Sequence, residues 1–275
     1  MMKIQKIFFS FAGFVCEIRA PEKQIEYIVK CYEKSPFSSF LKKSLKDEGL
    51  VCATLQINIV QSNKNIDIFE LISDNSLDFK LNCTDNLFFI FPVIEQVLRK
   101  IYYILFFKNK GFVLHASGVT NKNNASIFIG KSGSGMSTIM NILVKNNKFT
   151  SFADNNVFII FDDQKNKFFI YKSPFLEWNV SYKNNVKDDD LKVEINKLFT
   201  LKKSKENIIK KISFNVAIST IIQQIQIPSS NLSSDEISKS RKIIFIFLSQ
   251  FFNSMSELSF KKDESIADYL LEIMS

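Results

Sequence analysis

Three of the seven glycines lie within six residues, at Gly130, Gly133 and Gly135. They follow the apolar segment 126–129 and precede a second apolar segment that begins near Ser137. Glycine permits tight turns in which successive N–H groups point to one side, and the start of a helix adds partial positive charge there. The order strand, glycine-rich turn, helix therefore predicts an α/β domain with an anion-binding loop.

The loop Gly130-Lys131-Ser132-Gly133-Ser134-Gly135-Met136-Ser137-Thr138 differs from the P-loop pattern G-x-x-x-x-G-K-[ST] at one position. The pattern has lysine where this chain has Met136, and that lysine normally reaches the β- and γ-phosphates. Ser137 holds the position whose hydroxyl contacts Mg²⁺. Lys131 is a candidate source of the missing charge, as in the similar loops of ParA/MinD-like ATPases, and the alternative is a solvent-facing lysine. We expect residues 130–138 to bind ATP with Mg²⁺.

Two other segments with candidate catalytic residues lie close to this loop along the chain. His115 is the single histidine and comes just before the strand that leads into the loop. Asp154 and Asn155 follow the helix that comes after it. An acid at that place can bind Mg²⁺ or accept a hydroxyl proton. Taken alone, a lone histidine is more often structural, and Asp-Asn is typical of a turn.

Together, three segments resemble the HPr kinase/phosphorylase-related serine kinases, which have a phosphoenolpyruvate-carboxykinase-like fold. The segments are Leu-His-Ala-Ser-Gly-Val at 114–119, the glycine-rich loop, and Ala-Asp-Asn-Asn-Val at 153–157. Weaker similarities follow at Ser173-Pro174-Phe175, at 195–199, where the family has an apolar helix, and at 256–266, where it has a closing strand and helix. The similarity covers about residues 111–275, and residues 11–14 are only vaguely similar to the start of the family's smaller domain.

The resemblance implies a role for each matching residue. Asp154 matches an acid that acts as base toward an acceptor serine, His115 matches the histidine that assists it, and Ser137 matches a Mg²⁺ ligand. Asn155 stands where the family has a second, metal-binding acid. The chain thus departs from the family at Met136 and at Asn155, and both departures put phosphoryl transfer in doubt.

We expect an α/β fold with two domains. Residues 1–108 form a smaller α+β domain, and residues 109–275 form the P-loop domain around a mixed sheet. Hydrophobic periodicity and turn residues predict the individual elements. Predicted strands are 1–20, 51–60, 66–81, 86–91, 112–114, 125–129, 157–161, 167–171 and 254–260. Predicted helices are 22–32, 92–107, 137–146, 191–199, 213–223, 234–252 and 264–274.

Composition narrows the class of protein without choosing a ligand. The net charge of +8 favours anionic partners, but the lysines are scattered and the chain has three arginines, so nucleic acid is disfavoured. Four cysteines without C-x-x-C spacing are typical of reduced, buried thiols in a cytoplasmic protein. The apolar stretch 7–16 after Lys3 and Lys6 lacks a small-residue cleavage site, and no segment is long and apolar enough to predict a membrane span.

Three functions stay open from the sequence. The first is an ATP-dependent kinase that phosphorylates a serine of a protein or a precursor peptide. The second is an inactive homologue (a pseudokinase) that binds nucleotide or peptide without transfer. The third is a basic interaction protein in which the loop has only a structural role. The sequence identifies neither the acceptor nor the state of homo-oligomerisation.

Overall fold

The computed structural model describes residues 3–33, 38–45, 51–60, 69–73, 77–121, 124–145, 148–175, 192–228 and 232–274. They fall into two compact units, the first reaching to Leu105 and the second beginning at Phe106. Both units combine helices with a mixed sheet, which confirms the expected α/β class. The assignment of a separate function to each domain stays a prediction.

The first unit contains a six-stranded sheet in the order β3-β1-β2-β4-β6-β5. Strands β2, β4 and β6 are parallel, whereas β1 and β5 are antiparallel to their neighbours. The elements are β1 (Ile4–Phe11), β2 (Phe14–Pro21), α1 (Glu22–Glu33), a 3₁₀ turn (Ser38–Phe40), β3 (Leu41–Lys42), β4 (Val51–Ile59), β5 (Phe69–Ser73), β6 (Asp78–Cys83) and α2 (Leu87–Lys108).

Two predictions for this unit were wrong. The predicted strand 1–20 is a hairpin of β1 and β2 over residues 4–21, because Ala12 and Gly13 both adopt positive φ, 55° and 79°, and reverse the chain as a two-residue turn. The segment 86–91 was predicted as a strand from its apolar residues, but α2 already begins at Leu87 and includes Pro92. Parts of the predicted strand 66–81 lie outside the described residues.

The second unit contains a sheet with the strand order β10-β8-β9-β13-β12-β11-β7-β15, and β16 joins β13 and β14 beside it. Its elements are β7 (Gly111–Leu114), β8 (Ala116–Asn121), β9 (Asn124–Ile129), α3 (Met136–Lys145), β10 (Thr150–Ala153), β11 (Val157–Asp162), β12 (Lys167–Tyr171), β13 (Lys192–Lys203), β14 (Ile208–Lys211), α4 (Phe214–Gln224), β15 (Ile225–Gln226), α5 (Ser234–Phe251), β16 (Ser256–Phe260) and α6 (Ser265–Met274).

Helices cover both faces of this sheet, so its central strands are apolar on both sides. In β9, Ile127 and Ile129 pack into the core under α4 and α5, whereas Phe128 packs under α3 and α6. All three side chains are fully buried. This explains the continuous apolar run before the glycines, and it fixes the end of β9 at the sheet edge where the loop begins.

One prediction for this unit was wrong in type. The segment 191–199 was predicted as a helix, but residues 192–203 form β13, the strand that pairs with both β9 and β12. The register of β13 against β9 shifts between Ile195 and Lys197. This bulge changes which residues face one side, and so the buried side chains Ile195, Leu198 and Phe199 follow a helix-like spacing.

Candidate functional site

The glycine-rich loop connects β9 to α3, as the sequence predicts. Neither helix nor strand passes through residues 130–135, and the loop is closed by a hydrogen bond from Ser134 N–H to the carbonyl oxygen of Lys131, 2.9 Å. Gly133 and Gly135 have φ of 82° and 105°. These conformations strain any residue with a Cβ, so the glycines are required by the turn itself.

The glycine at position 130 makes room for a buried side chain of the loop. The Oγ atom of Ser134 is buried and has no hydrogen-bond partner among the described residues. A Cβ built on Gly130 would lie 2.4 Å from this Oγ, so glycine at 130 leaves the room that the Ser134 side chain needs. Ser134 therefore packs against Gly130, and it is not among the residues that line the cavity over the loop.

Asp154 follows the end of β10 and is only 1% exposed. Its Oδ1 atom accepts three hydrogen bonds: from Ser117 Oγ at 2.6 Å, from Ser137 Oγ at 3.3 Å and from the Asn155 N–H at 3.1 Å. Ser117 lies on β8, and Ser137 lies in the first turn of α3. The structure therefore brings the predicted acid and the predicted metal-binding hydroxyl into contact.

His115 lies at the break between β7 and β8. Its backbone N–H donates to the carbonyl oxygen of Gln224 at 2.7 Å, and its Nδ1 lies 3.1 Å from the carbonyl oxygen of Asn155. A carbonyl oxygen only accepts, so Nδ1 carries the hydrogen in this contact. In the neutral ring the free lone pair is then on Nε2, which leaves that atom able to accept a proton. Asn155 itself has a φ of 60°, a left-handed conformation that asparagine tolerates better than most residues.

A cavity of about 280 Å³ lies over the loop, and His115, Ser137 and Asn155 line it, whereas the buried Asp154 does not. Its lining residues are His115, Ser132, Gly133, Gly135, Met136, Ser137, Thr138, Asn155 and Lys203. Met136, at the position of the pattern's lysine, is 6% exposed. Lys131, the replacement considered from the sequence, is exposed and does not line the cavity.

Sequence reasoning missed two residues of this site. Ser117 was noticed only as part of the segment similar to the serine kinases, although its hydroxyl holds Asp154. Lys203 was one of 33 lysines and lay in no predicted element. The correct strand assignment would have found it, because β13 is parallel to β9 and both strands end at the edge that carries the loop.

No group of three or more His, Cys, Asp or Glu side chains that could hold a metal ion occurs among the described residues. In the same part of the chain, no helix has both the length and the apolar character needed to cross a membrane.

Comparison with known proteins gives similarity to solved structures alone, and the one described here is distant. No protein-family model and no curated protein matches the chain. Among solved structures, the chain is similar to the HPr(Ser) kinase/phosphatase from Coxiella burnetii, with a TM-score of 0.30 and 8% sequence identity, over 59% of this chain and 99% of that one. Function is therefore inferred from the residues of the site.

Proposed function

We propose that the loop 130–138 binds the phosphates of a Mg²⁺-nucleotide, and that the chain is an ATP-dependent serine kinase acting on a protein or a peptide. The contact between Ser137 Oγ and Asp154 Oδ1, at 3.3 Å and directly after a glycine-rich turn, is the observation that supports this most. In P-loop nucleotide-binding sites, the hydroxyl after the loop and an acid from a neighbouring strand hold Mg²⁺ together.

The residues present fit this ion and the nucleotide phosphates. Mg²⁺ prefers oxygen ligands and commonly takes only one or two from the protein, with the rest from phosphates and water. Ser137 and Asn155, which both line the cavity, would supply a hydroxyl and an amide oxygen, and Asp154 would act on the ion through its hydrogen bond to Ser137. The bound ion would neutralise charge on the phosphates. The loop N–H groups and the start of α3 would bind the phosphate oxygens.

The proposed transfer moves the γ-phosphoryl group of ATP to a serine oxygen. The acceptor serine oxygen bonds to the γ-phosphorus, the bond from that phosphorus to the bridging oxygen of ADP breaks, and the serine proton passes to a base of the site. Asp154 is that base, with its Oδ1 held by three donors and its Oδ2 free of donors among the described residues. The His115 ring contacts the backbone of the next residue, Asn155, and His115 lines the cavity, so its Nε2 can take up the proton.

A second function, nucleotide binding without transfer, is favoured by two residues of the cavity wall. Met136 and Asn155 both line the cavity, and neither carries a charge. The family pattern has a lysine and an acid at these positions, and both charges normally act on the transferring phosphoryl group.

Two measurements on the full chain test these proposals. Isothermal titration calorimetry with ATP, with and without Mg²⁺, measures binding for the wild type and for Asp154→Asn. We expect weak binding, because loss of a phosphate-neutralising lysine costs about 1.5–3 kcal/mol. We expect Mg²⁺ to strengthen binding to the wild type and to have a much smaller effect on Asp154→Asn.

Transfer is measured with γ-³²P-ATP on an array of serine peptides, against a matched array in which alanine replaces serine. Label on the serine array that is lost in Asp154→Asn supports the kinase. Binding without label supports the second function. No binding at millimolar ATP contradicts both.

A further inference from the structure

The candidate phosphate site lacks a positive charge where nucleotide-binding loops of this type usually have one. Met136 occupies that position, is 6% exposed and forms part of the cavity wall. Lys131 is exposed and lies outside the set of lining residues. Neither residue supplies a cation to the cavity, so any compensating charge comes from another element.

Among the described residues, Lys203 is the lysine that lines this cavity. Parallel pairing of β13 with β9 aligns Thr200 with Ile129, the last residue before the loop. Leu201 then lies beside the loop's first residue, with its Cβ 3.9 Å from a Cβ built on Gly130. Residues 201 and 203 share one side of the strand, and Lys203 lines the cavity.

The side chain of Lys203 reaches the second half of the loop. Its Cε lies 3.6 Å from a Cβ built on Gly135, which directly precedes the start of α3. The same built atom would lie 2.8 Å from the Cζ atom of Phe260, the residue that pairs with Lys203 across β13 and β16. Glycine at 135 thus leaves the space in which both side chains approach the loop.

The charge of Lys203 is not used by another residue of the described chain. No ion pair or hydrogen bond to its Nζ occurs among the described residues, whereas nearby Lys261 pairs with Asp263 at 2.6 Å. An ammonium group on a flexible stem, next to backbone donors and without a carboxylate partner, is suited to a phosphate oxygen.

We propose that Lys203, reaching the cavity from β13, supplies the phosphate-neutralising charge that Met136 does not. This inference rests on the proposed nucleotide-binding function and assigns one of its binding residues. The phosphate site then combines groups from two elements: backbone N–H donors from the loop and the cation from the neighbouring strand.

Lys203→Gln tests the proposal, with Lys202→Gln as its matched control. Both substitutions remove one charge from an exposed lysine of the same strand, but residue 202 faces the opposite side of β13. The probe is Mg²⁺ with the non-hydrolysable β,γ-imido analogue of ATP, titrated calorimetrically into the full chain. We expect Lys203→Gln to weaken binding about 10-fold to 150-fold, as loss of a charged hydrogen bond does, and Lys202→Gln to change it less than about 2-fold.

Met136→Lys in the Lys203→Gln background is the second test. Position 136 lines the same cavity, so a lysine there should restore most of the lost affinity. Melting temperatures of all variants exclude misfolding as the cause of a loss. If the double variant does not fold, the comparison of Lys203→Gln with Lys202→Gln still decides.

The outcomes separate the two proposals. If the wild type binds and Lys203→Gln binds equally well, or if Lys131→Gln causes the loss instead, then the role of Lys203 is wrong and nucleotide binding stands. Equal losses in Lys203→Gln and Lys202→Gln also overturn it, since they show a general effect of charge. If the wild type does not bind the probe at millimolar concentration, the proposed function fails and this inference fails with it.

Discussion

At the scale of single residues, Ser117 is the buried hydrogen-bond donor that holds Asp154 in position. Its side chain is fully buried, and its Oγ donates to a carboxylate at 2.6 Å. Ser151, on the neighbouring strand β10, is also buried, but among the described residues its Oγ has only the thioether sulfur of Met140 as partner, at 3.5 Å. The two serines differ in the strength of their acceptor, since a thioether is a weak one.

We expect Ser117→Ala to lower the free energy of unfolding by about 1.5–3 kcal/mol, because a buried carboxylate loses a donor. We expect Ser151→Ala to lower it by less than about 1 kcal/mol, since only a weak hydrogen bond is lost. Urea denaturation of both variants measures the two free energies. Equal losses would show that the Ser117 bond adds nothing beyond the burial of a small side chain.

Lys172 is a buried cation that the proposed function does not use. It follows β12, is 6% exposed, and burial lowers its pKa from 10.5 to about 8. Below pH 8 it is charged in both the folded and the unfolded chain, and the folded chain bears the full cost of burying that charge. Between pH 8 and 10.5 the unfolded chain binds more protons, so this residue makes stability rise with pH.

Lys172→Met should therefore be more stable than the wild type at pH 7, by on the order of 3 kcal/mol for a shift of this size. The difference should shrink toward zero as the pH approaches 10.5. Urea denaturation of both proteins at pH 7 and 9.5 measures it, and other titrating groups cancel in the difference. Lys210→Met, at an exposed position of β14, serves as control and should show no such slope. A difference between wild type and Lys172→Met that is independent of pH would contradict the prediction.

At the scale of elements, the sequence predicts those whose pattern is local. The segments β9, the loop and α3 follow from an apolar run, three glycines and a second apolar run, and they lie where predicted. Likewise β11 and β12 pair as the predicted hairpin. Strand β13 was missed because a bulge, which only the pairing with β9 shows, changes the spacing of its buried residues. The start of α2 was missed because aromatic and branched residues favour strands until tertiary packing decides.

Two glycines of the loop allow a matched test of why the turn requires glycine. Gly133 has a φ of 82° and open space around a built Cβ, whereas Gly135 has a φ of 105° and a built Cβ 2.8 Å from Phe260. Gly133→Ala should lower the free energy of unfolding by about 1–2 kcal/mol through backbone strain alone. Gly135→Ala should lower it by about 1–3 kcal/mol more, because the side chain also overlaps a buried ring.

Thermal and urea denaturation of the two alanine variants measure this difference. Gly13→Ala, at a turn of the first unit with a φ of 79° and no atom within 4 Å of a built Cβ, provides a reference for backbone strain outside the loop. If Gly135→Ala costs no more than the other two substitutions, the loop moves away from Phe260 and the close approach is not a constraint.

At the scale of the whole molecule, the site combines residues that are distant along the chain. Motif positions pointed to Ser137, Asp154 and His115, and the structure brings them to one end of the second sheet. Lys203 could not be found in this way, because nothing in its own segment distinguishes it from other lysines. Its place depends on strand order, which puts β13 next to β9. Sequence patterns thus predict the parts of the site that one segment supplies, but not those that sheet pairing adds.

The two compact units each have their own buried core, so a bound nucleotide can stabilise one unit more than the other. In the first unit, the buried hydroxyl of Tyr102 donates to the carbonyl oxygen of Phe9 at 2.7 Å, within a cluster of aromatic rings. The residues that line the proposed ligand site all belong to the second unit. Mg²⁺-ATP at ten times its dissociation constant should stabilise that unit by about 1.4 kcal/mol and slow its globally exchanging amides about tenfold.

Hydrogen exchange followed by mass spectrometry, with and without Mg²⁺-ATP, measures the protection of amides in each unit separately. We expect slower exchange in peptides that cover 130–138, 153–157 and β9, and unchanged exchange in β1, β2 and β4. Asp154→Asn, titrated at the same ATP concentration, should lose most of the Mg²⁺-dependent protection. Equal protection of both units would mean that the chain opens as one cooperative body, in which case ligand binding at the loop stabilises the first core as much as the second. Protection confined to the first unit would place the nucleotide there and contradict the site at residues 130–138.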